Sequence, residues 1–520
     1  MGKFFMISLA IFAATGSFLF GYDSGVMTDV IQSPHFLTYF NTSKTSPIIG
    51  AINSTFSGGA VFGSLMGGFT MDRLGRKWTI MIGAMICFVG AILQAAAVHL
   101  AMMLVGRIMA GWAVGLMSMS VPVYQSECAH PKIRGLVVGM AQQMIGVGFI
   151  VSTWIGYGAA HVPATNAFSW RFPLAFQTVP CVILLIGLPF FPESPRHLME
   201  HGEEDEAMRV LNKLHYDGTN QEWIQSEFEE IRSTISAEKA ITAPGWLVMF
   251  KVPQWRNRLL QATLVQVFTQ MTGYVLPAYT SRSSANSPSI NVIGYYQTIM
   301  YEFLGITGQR NLLVTGIYNC VGPFANLIFI VFILDRLGRR IPLLVGTVAI
   351  TIALICEAAI NSQIPQPVDG EVIEAHSGDG KSIAGVFFIF CVTVIFSGSF
   401  GSISWVYMSE IMPMQIRGRG SAFATGIGNW LVSTIWSQVS PIGLGAITWK
   451  YYFIFIAFNI LITFPTIYFT FKETKQMSLE EIDLLFGGRA LGTLPEDLDK
   501  DVVRDGSVTF VAEKETKLEA

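Results

Sequence analysis

Residues 67–77 read GGFTMDRLGRK, and the pattern returns as ILDRLGRR at residues 333–340. Each string follows one long apolar stretch and precedes another, which is typical of a short charged turn between two apolar helices. An acidic residue followed seven residues later by the arginine of an IRG string also occurs twice, beginning at Glu127 and at Glu410. Two motifs that recur in the same order indicate that the chain has two halves related by internal duplication.

The composition points away from the water-soluble classes of protein. The chain has 520 residues, of which 51% are hydrophobic and 13% are charged. Soluble globular domains carry about 25% charged residues, so the charge present here is too little to cover several of them. The composition excludes a soluble enzyme, a disordered protein and a coiled coil. The formal net charge of −3 gives no basic surface for nucleic acid. A multi-pass membrane protein remains.

Twelve apolar stretches are long enough to cross a bilayer as helices, which takes about 20 residues each. A transmembrane β-strand would be about 10 residues long with alternating polarity, and these stretches are longer and evenly apolar. We therefore predict an all-α membrane protein. The predicted spans cover residues 4–30, 48–71, 78–98, 101–126, 136–160, 172–191, 257–304 (interrupted), 311–334, 341–361, 381–409, 420–446 and 449–471.

Basic residues lie in every second connection between these spans, and the alternate connections carry few. Because cytoplasmic loops hold the excess of Lys and Arg, both termini are predicted to be cytoplasmic. We expect the plasma membrane to be the location. The basic connections contain Arg73, Arg76 and Lys77, then Lys132 and Arg134, then Arg336, Arg339 and Arg340, and then Arg417 and Arg419.

The polar and apolar intervals divide the chain into four predicted segments. An N-terminal six-helix bundle covers residues 1–191, and a C-terminal six-helix bundle covers residues 257–471. The linker at residues 192–256 is predicted to form amphipathic cytoplasmic helices. The polar, acidic stretch at residues 472–520 is predicted to be a cytoplasmic tail.

Four further strings are characteristic of one family: GRIMAGWAVG (106–115), PVYQSECAHPKIRG (122–135), PESPR (192–196) and ETK followed by SLEEID (473–483). With them the chain resembles the sugar porter family of the major facilitator superfamily, and in particular its fungal monosaccharide transporters. The resemblance implies twelve transmembrane helices in two pseudo-symmetric six-helix bundles, with cytoplasmic helices between the halves. It implies import of a monosaccharide, most readily a hexose, by alternating access. A sugar, a proton and the lipid bilayer are the implied partners, with no enzymatic activity, cofactor or metal.

Two charged residues, Asp23 and Arg107, lie inside the first and fourth predicted spans. An isolated charge inside a bilayer is costly, so such residues pair or line a wet cavity, and they are functional by default. Proton-coupled sugar porters have an Asp–Arg pair here, whereas facilitators often have an uncharged residue instead of the Asp. We therefore predict that protonation of Asp23 releases Arg107 and biases the equilibrium between two conformations. A static ion pair holding two helices together is the alternative.

The resemblance assigns a second charged set to the cytoplasmic ends of the helices. Salt bridges there are predicted to close the inner side while the outer side is open, and to break as the two halves rock. The alternative is that the basic residues only orient the helices. The predicted cytoplasmic gate comprises Asp72, Arg73, Arg76, Glu127, Arg134, Glu193, Arg196, Asp335, Arg336, Arg340, Glu410, Arg417 and Glu473.

A sugar presents hydroxyl groups and an apolar ring face, which suit uncharged amides and indole rings. Carried over from the family residue by residue, the predicted substrate-binding side chains are Gln142, Gln270, Asn291, Trp405, Asn429 and Trp430. Taken singly, each indole could serve packing and each amide could serve an interhelical hydrogen bond. Together they indicate a polar central cavity.

Several positions depart from the family pattern. Thr269 stands at the first of two expected glutamines, Pro323 at an expected asparagine, and Ser397 at an expected acidic residue. One extra residue separates Arg417 from Asn429. A pentose, a disaccharide or a cyclic acid such as quinate therefore remains an alternative to a hexose.

Residues 274–289, YVLPAYTSRSSANSPS, interrupt the seventh predicted span. Deleting them joins QMTG (270–273) to INVIGYY (290–296) and restores the family pattern. Irregular backbone exposed to lipid is not tolerated, so we interpret the segment as a translated, unremoved intron. Its codons can contain a GTATGT donor, a CTAAC branch point and an AG acceptor, and sixteen codons preserve the reading frame. A genuine loop insertion is the alternative, and sequencing the spliced transcript decides between them.

Three other functions compete with proton-coupled import. An uncoupled sugar facilitator would use the same fold without the proton. A non-transporting sugar receptor usually needs a long signalling tail, and 49 residues follow residue 471. A membrane enzyme lacks support, because no metal-spaced His or Cys cluster and no nucleophile–base motif stands out.

Overall fold

Every regular element among the described residues is helical in a computed structural model of the chain. The structure describes residues 2–31, 33–42, 47–163, 165–216, 218–241, 246, 248–272, 309–362, 380–413, 416–436, 448–475, 477, 481–482 and 485–486. The statements below concern these residues. The prediction of an all-α membrane fold is confirmed.

Six long apolar helices form the first half. They are α1 (Phe4–Val30), α2 (Ile48–Leu74), α3 (Arg76–Ala95), α4 (Leu100–Cys128), α5 (Pro131–Ala159) and α6 (Phe168–Phe190). A short helix, Pro34–Tyr39, lies between α1 and α2.

The glycine-rich string at residues 106–115 brings α4 close to α2. A Cβ atom added at Gly111 would lie 1.9 Å from the carbonyl oxygen of Phe56, and one at Gly115 would lie 2.3 Å from that of Ala60. Small residues let membrane helices approach at backbone distance. The string therefore fixes the packing of α4, the helix that carries Arg107 and Glu127.

The segment between the halves contains three further helices, Pro195–Glu200, Glu204–His215 and Gln221–Ile241. Each is too short or too polar to span a bilayer. Their apolar faces bury Val210, Leu214 and Phe228 in the same core as residues of α1 and α6. These helices agree with the amphipathic pattern predicted for this interval.

The second half repeats the arrangement. It comprises α7 (Pro253–Met271), α8 (Leu313–Leu337), α9 (Arg340–Ile360), α10 (Phe387–Ile411), α11, which begins with Arg417–Phe423, and α12 (Tyr452–Thr470). Ten helices in the described part are long and apolar enough to cross a membrane. The other two of the twelve predicted spans, 257–304 and 420–446, include residues outside the described part, and the interruption at 274–289 lies wholly outside it.

Four helices of the second half contain a π-helical turn. The turns are Phe329–Ile333 in α8, Ser397–Gly401 in α10, Ala424–Leu431 in α11 and Asn459–Thr463 in α12. A π-turn accommodates an additional residue in a helix and is frequent at functional sites. The turn in α11 holds Asn429 and Trp430, and it accounts for the extra residue between Arg417 and Asn429.

Candidate functional site

The predicted polar side chains meet near the middle of the interface between the two halves. Gln142 of α5 accepts a hydrogen bond from Trp405 of α10, with 3.1 Å between Oε1 and the indole Nε1. Beside this pair, the side chain of Asn326 in α8 donates to Gln143, the residue after Gln142, at 2.9 Å and accepts from Ser402 of α10 at 2.6 Å. Amides and an indole from both halves therefore lie side by side.

A second group of amides joins α7 to α11. The Nε2 atom of Gln270 donates to Oδ1 of Asn429 at 2.7 Å, and Nδ2 of Asn429 donates to Gln266 at 2.9 Å. Asn429 is 4% exposed, and the π-turn in α11 orients it toward α7. Gln266 was missed in the sequence, although it lies four residues before Gln270 and hence on the same helix face.

Trp430 crosses between the halves. Its indole nitrogen donates to Ser118 of α4 at 3.2 Å. The ring centroid lies 4.9 Å from that of Phe20 and 6.0 Å from that of Phe56. Trp430 therefore packs against α1 and α2 of the first half and not against lipid.

One predicted substrate residue, Asn291, lies outside the described residues. Pro323 stands where the family has an asparagine, and a nearby asparagine supplies the missing amide: Asn319 of α8 donates to Thr153 of α5 at 2.8 Å. Together with Asn326, it gives α8 two amides facing the first half. The set has no charged member, which suits a neutral polyhydroxy ligand.

Asp23 and Arg107 form a buried ion pair. Nη1 of Arg107 lies 3.1 Å from Oδ1 of Asp23, and both side chains are at most 1% exposed. The same Nη1 lies 3.3 Å from the backbone oxygen of Asp23 and 3.5 Å from Oε1 of Gln94. The sulfur of Cys87 is 3.9 Å from the other carboxylate oxygen. The two charges thus compensate each other within the first half, away from lipid.

An aromatic contact connects this ion pair with the interface. The guanidinium of Arg107 lies over the ring of Phe56, 4.4 Å from its centroid. Phe56 in turn meets Trp430 edge to face. If Arg107 moves, its contact with Phe56 changes, and Phe56 in turn contacts Trp430 of the predicted substrate site.

Glu127, in the last turn of α4, is the centre of a buried charge cluster. It binds Arg76 of α3 at 2.9 Å and Arg417 of α11 at 3.4 Å. Ser194 donates a hydrogen bond to its second oxygen. The contact with Arg417 joins the first half to the second.

The second half repeats this cluster around Glu410. Arg339 binds Glu410 at 2.7 Å, and Thr474 donates to it at 2.8 Å. Arg339 corresponds to Arg76 in the repeated turn, yet the predicted gate named its neighbour Arg340. The side chain of Arg340 instead donates to the backbone oxygen of Tyr468. Arg339, and not Arg340, therefore belongs to the charge cluster, although the sequence analysis counted Arg339 only among the basic residues that orient the helices.

The glycine of each repeated turn explains why the following arginine points inward. Gly75 has φ +93° and Gly338 has φ +86°, a backbone conformation that favours glycine. Next to them, Glu193 accepts hydrogen bonds from the backbone amides of Arg76 and Lys77, and Glu473 accepts from those of Arg339 and Arg340. The two glutamates thus cap the helices that begin at these turns.

Two aspartates of the turns dock on the opposite half. Arg419 of α11 binds Asp72 of α2 at 2.6 Å, and the backbone amide of Leu136 in α5 donates to Asp335 at 3.0 Å. A Cβ atom at Gly418 would lie 2.3 Å from Asp72, and one at Gly135 would lie 2.1 Å from Asp335. Each IRG glycine therefore leaves room for the aspartate of the other half.

Of the remaining predicted gate residues, two arginines form polar contacts and two are exposed. Arg134 donates to the backbone oxygen of Met477 at 3.0 Å, and Arg196 lies 3.4 Å from Glu227 within the linker. Arg73 and Arg336 are exposed and form no ion pair within the described ranges. The structure does not bring these two arginines into the cluster, and their position fits the topological role.

A group of three potential metal ligands, His197, Glu200 and His201, lies beside this cluster. The guanidinium of Arg76 is 2.8 Å from Nδ1 of His197 and 4.0 Å from Glu200, so a cation already occupies this position. Burial, then the charge of Arg76, lowers the pKa of His197 to about 3. Burial also raises the pKa of Glu193 above its ordinary value.

The chain is similar to known membrane transporters over nearly its whole length. A family model described as "Sugar (and other) transporter" matches residues 9–486. The MFS-type transporter criB of Aspergillus cristatus is 36% identical over 94% of this chain and 94% of its own length. A high-affinity glucose transporter of Kluyveromyces lactis is 31% identical over 92% and 84%, and a probable quinate permease of Aspergillus niger is 30% identical over 92% and 87%.

A solved structure shares the fold. The proton:xylose symporter XylE bound to 6-bromo-6-deoxy-D-glucose superposes with a TM-score of 0.79 at 24% identity, covering 94% of this chain and all of that one. An inward-open structure of XylE from E. coli has a TM-score of 0.63. The twelve-helix fold predicted from the sequence is thereby confirmed.

Proposed function

Because the chain belongs to the sugar transporter family, we propose that it imports a monosaccharide, most readily a hexose, together with a proton by alternating access. The proposal includes a plasma-membrane location with both termini cytoplasmic. The observation that carries it is the contact, through the ring of Phe56, between an uncharged amide and indole set at the interface and a buried Asp–Arg pair inside the first half.

The substrate site proposed here comprises the amides and indoles between the halves. Gln142, Trp405, Gln270 and Asn429 would exchange their mutual hydrogen bonds for sugar hydroxyls, and Trp430 would cover an apolar ring face. Asn291 remains part of the prediction. A quinate anion would need a cation, and Arg107, which contacts this set through Phe56, already binds Asp23. This charge pattern favours a neutral sugar, although quinate permeases are among the relatives.

Proton coupling is proposed to act through Asp23. A protonated Asp23 no longer holds Arg107 by charge, and the guanidinium can then shift against Phe56 and, through it, Trp430. Sugar and proton would in this way bias the same conformational equilibrium. An uncoupled facilitator would show sugar uptake that is indifferent to the proton gradient.

The cytoplasmic cluster is proposed to be the inner gate. Three contacts tie the halves together there: Glu127 with Arg417, Asp72 with Arg419, and Asp335 with the amide of Leu136. These bonds hold the inner side closed, and the higher similarity to sugar-bound than to inward-open XylE supports such a state. Opening toward the cytoplasm requires all three contacts to break.

A substrate panel tests the proposal. Radiolabelled glucose, xylose, a disaccharide and quinate are offered to transporter-deficient cells that express either the full chain or a version lacking 274–289. We expect glucose uptake that an uncoupler abolishes, and stronger uptake by the shorter version. Saturable uptake of quinate alone, or of no compound by either version, would contradict the proposal.

A further inference from the structure

A second carboxyl group, Asp29, lies near the outer end of α1 and has no role in the scheme above. Both of its carboxyl oxygens are buried and have no hydrogen-bond partner among the described residues. Within a bilayer, an ionisable residue without a partner is costly and is a candidate for function. The packing around Asp29 indicates which function it can have.

Asp29 belongs to a row of residues through which α1 packs on α5. Small residues dominate both rows, so the two backbones approach closely. A Cβ atom at Gly21 would lie 1.9 Å from a backbone oxygen of α5, and one at Gly156 would lie 2.2 Å from the Asp29 carboxylate. The facing rows are Gly21, Gly25 and Asp29 on α1, and Gly148, Ser152 and Gly156 on α5. Gly156 therefore leaves the space that the Asp29 carboxyl occupies.

No positive charge in the described part of the chain offsets Asp29. On its own helix, Tyr22 interacts electrostatically with both Asp23 and Asp29, and its hydroxyl donates to the backbone oxygen of Pro173. The contacting row of α5 offers no titratable side chain. The two basic side chains that follow α5 in the sequence are engaged elsewhere: His161 with the backbone oxygen of Tyr157, and Arg171 with that of Ala97.

An unpaired carboxylate removed from water binds a proton instead of remaining charged. Asp29 is therefore neutral while α1 packs against α5. If water reaches the carboxyl when this contact loosens, the carboxylic acid releases its proton and becomes ionised. The chemistry is a reversible proton binding: the O–H bond forms with a proton from the outer side while α1 and α5 are packed and the inner side is closed, and it breaks to water of the inner side when the contact loosens in the inward-open state.

We propose that Asp29 is a second proton-binding site, which takes up and releases one proton in each transport cycle in addition to the proton on Asp23. The inference rests on the proposed function for Asp23. Six residues separate the two carboxyls, about 9 Å along the helix, and Asp29 is the one closer to the outer surface. Two protons per sugar would follow.

The proton-to-sugar stoichiometry tests this inference. Purified full-length protein is reconstituted in vesicles, and proton and labelled-glucose fluxes are measured for the wild type, Asp29→Asn and Asp23→Asn. Asparagine has nearly the shape of the neutral carboxyl, and sugar exchange without a gradient reports whether each variant is folded. We expect two protons per sugar in the wild type and one in Asp29→Asn. Because each proton adds about tenfold to accumulation per unit of pH gradient, the variant should accumulate about tenfold less sugar.

The outcomes separate the two proposals. A wild type that carries no proton overturns the proposed coupling through Asp23. A wild type that carries one proton, with Asp29→Asn unchanged, overturns the second site and leaves a permanently neutral packing residue. Infrared spectra give an independent readout, since the carbonyl band of a protonated acid should be present in the wild type and absent in Asp29→Asn.

Discussion

The bond between Asp72 and Arg419 gives the sharpest test of the proposed inner gate. Nε of Arg419 lies 2.6 Å from Asp72, and the side chains are only 22% and 21% exposed. A hydrogen bond between charged groups contributes about 1.5–3 kcal/mol, and partial exposure to water places this pair near the lower limit. Asp72→Asn keeps the shape and removes the charge. It should weaken the closed inner side by about 1.5 kcal/mol, which is about a tenfold rise in the inward-open population.

The population can be read from distances between spin labels on the surface that we propose to be cytoplasmic. Leu74 and Leu337 occupy equivalent positions in the repeated turns and are 48% and 49% exposed, so Leu74→Cys and Leu337→Cys provide matched sites. Asp72→Asn should enrich the longer distance, and the charge exchange Asp72→Arg with Arg419→Asp should restore the shorter one. Arg73→Gln, at an exposed neighbour that forms no ion pair with any described residue, is the control. Equal distance distributions for Asp72→Asn and the wild type would refute the gate.

Three further predictions concern the substrate site, its connection to the ion pair and the linker. Gln142→Leu should raise the apparent KM for sugar about tenfold, the effect of losing one hydrogen bond of about 1.4 kcal/mol; an unchanged KM would exclude contact with sugar. Phe56→Leu should lower sugar accumulation while leaving exchange intact, and equal loss of both would indicate a structural role. His215 has a pKa lowered to about 3 by burial and by the charges of His130, Arg134 and Arg196. Between about pH 6.5 and pH 3 only the unfolded state binds that proton, so His215 should lower the free energy of unfolding by about 1.4 kcal/mol for each unit by which the pH falls. His215→Gln should reduce the slope measured in thermal unfolding by this amount, and an unchanged slope would contradict the assignment.

The fold followed from the sequence because hydropathy and duplication act over long stretches. Twelve apolar intervals and two copies of the DRLGR turn predict two bundles without any knowledge of distances. The pairing of Asp23 with Arg107 was predictable for a different reason. Two isolated charges of opposite sign inside a bilayer have few possible partners other than each other.

The details of the charge cluster depended on backbone geometry. Arg339 was overlooked in favour of Arg340, although Gly338 reverses the chain so that the residue directly after it turns inward. Alignment of the two turns by their glycines would have found it. The contacts of Asp72 with Arg419 and of Asp335 with Leu136 join residues more than 190 positions apart. Only the packing of the two halves brings them together.

The extra residue in α11 shows how local structure can preserve a site. By simple helical periodicity, an insertion before Asn429 would rotate it by about 100°. The π-turn Ala424–Leu431 absorbs the insertion, and Asn429 contacts Gln270 and Gln266. Sequence spacing alone could not reveal this compensation.

Proton movement driven by sugar tests the central claim most directly. Vesicles containing the wild-type protein or Asp23→Asn receive glucose in the absence of a pH gradient, and the internal pH is recorded. The wild type should acidify the interior as sugar enters, whereas Asp23→Asn should exchange sugar without moving protons. Sugar entry into wild-type vesicles without acidification, or equal acidification by the variant, would contradict coupling through the Asp23–Arg107 pair.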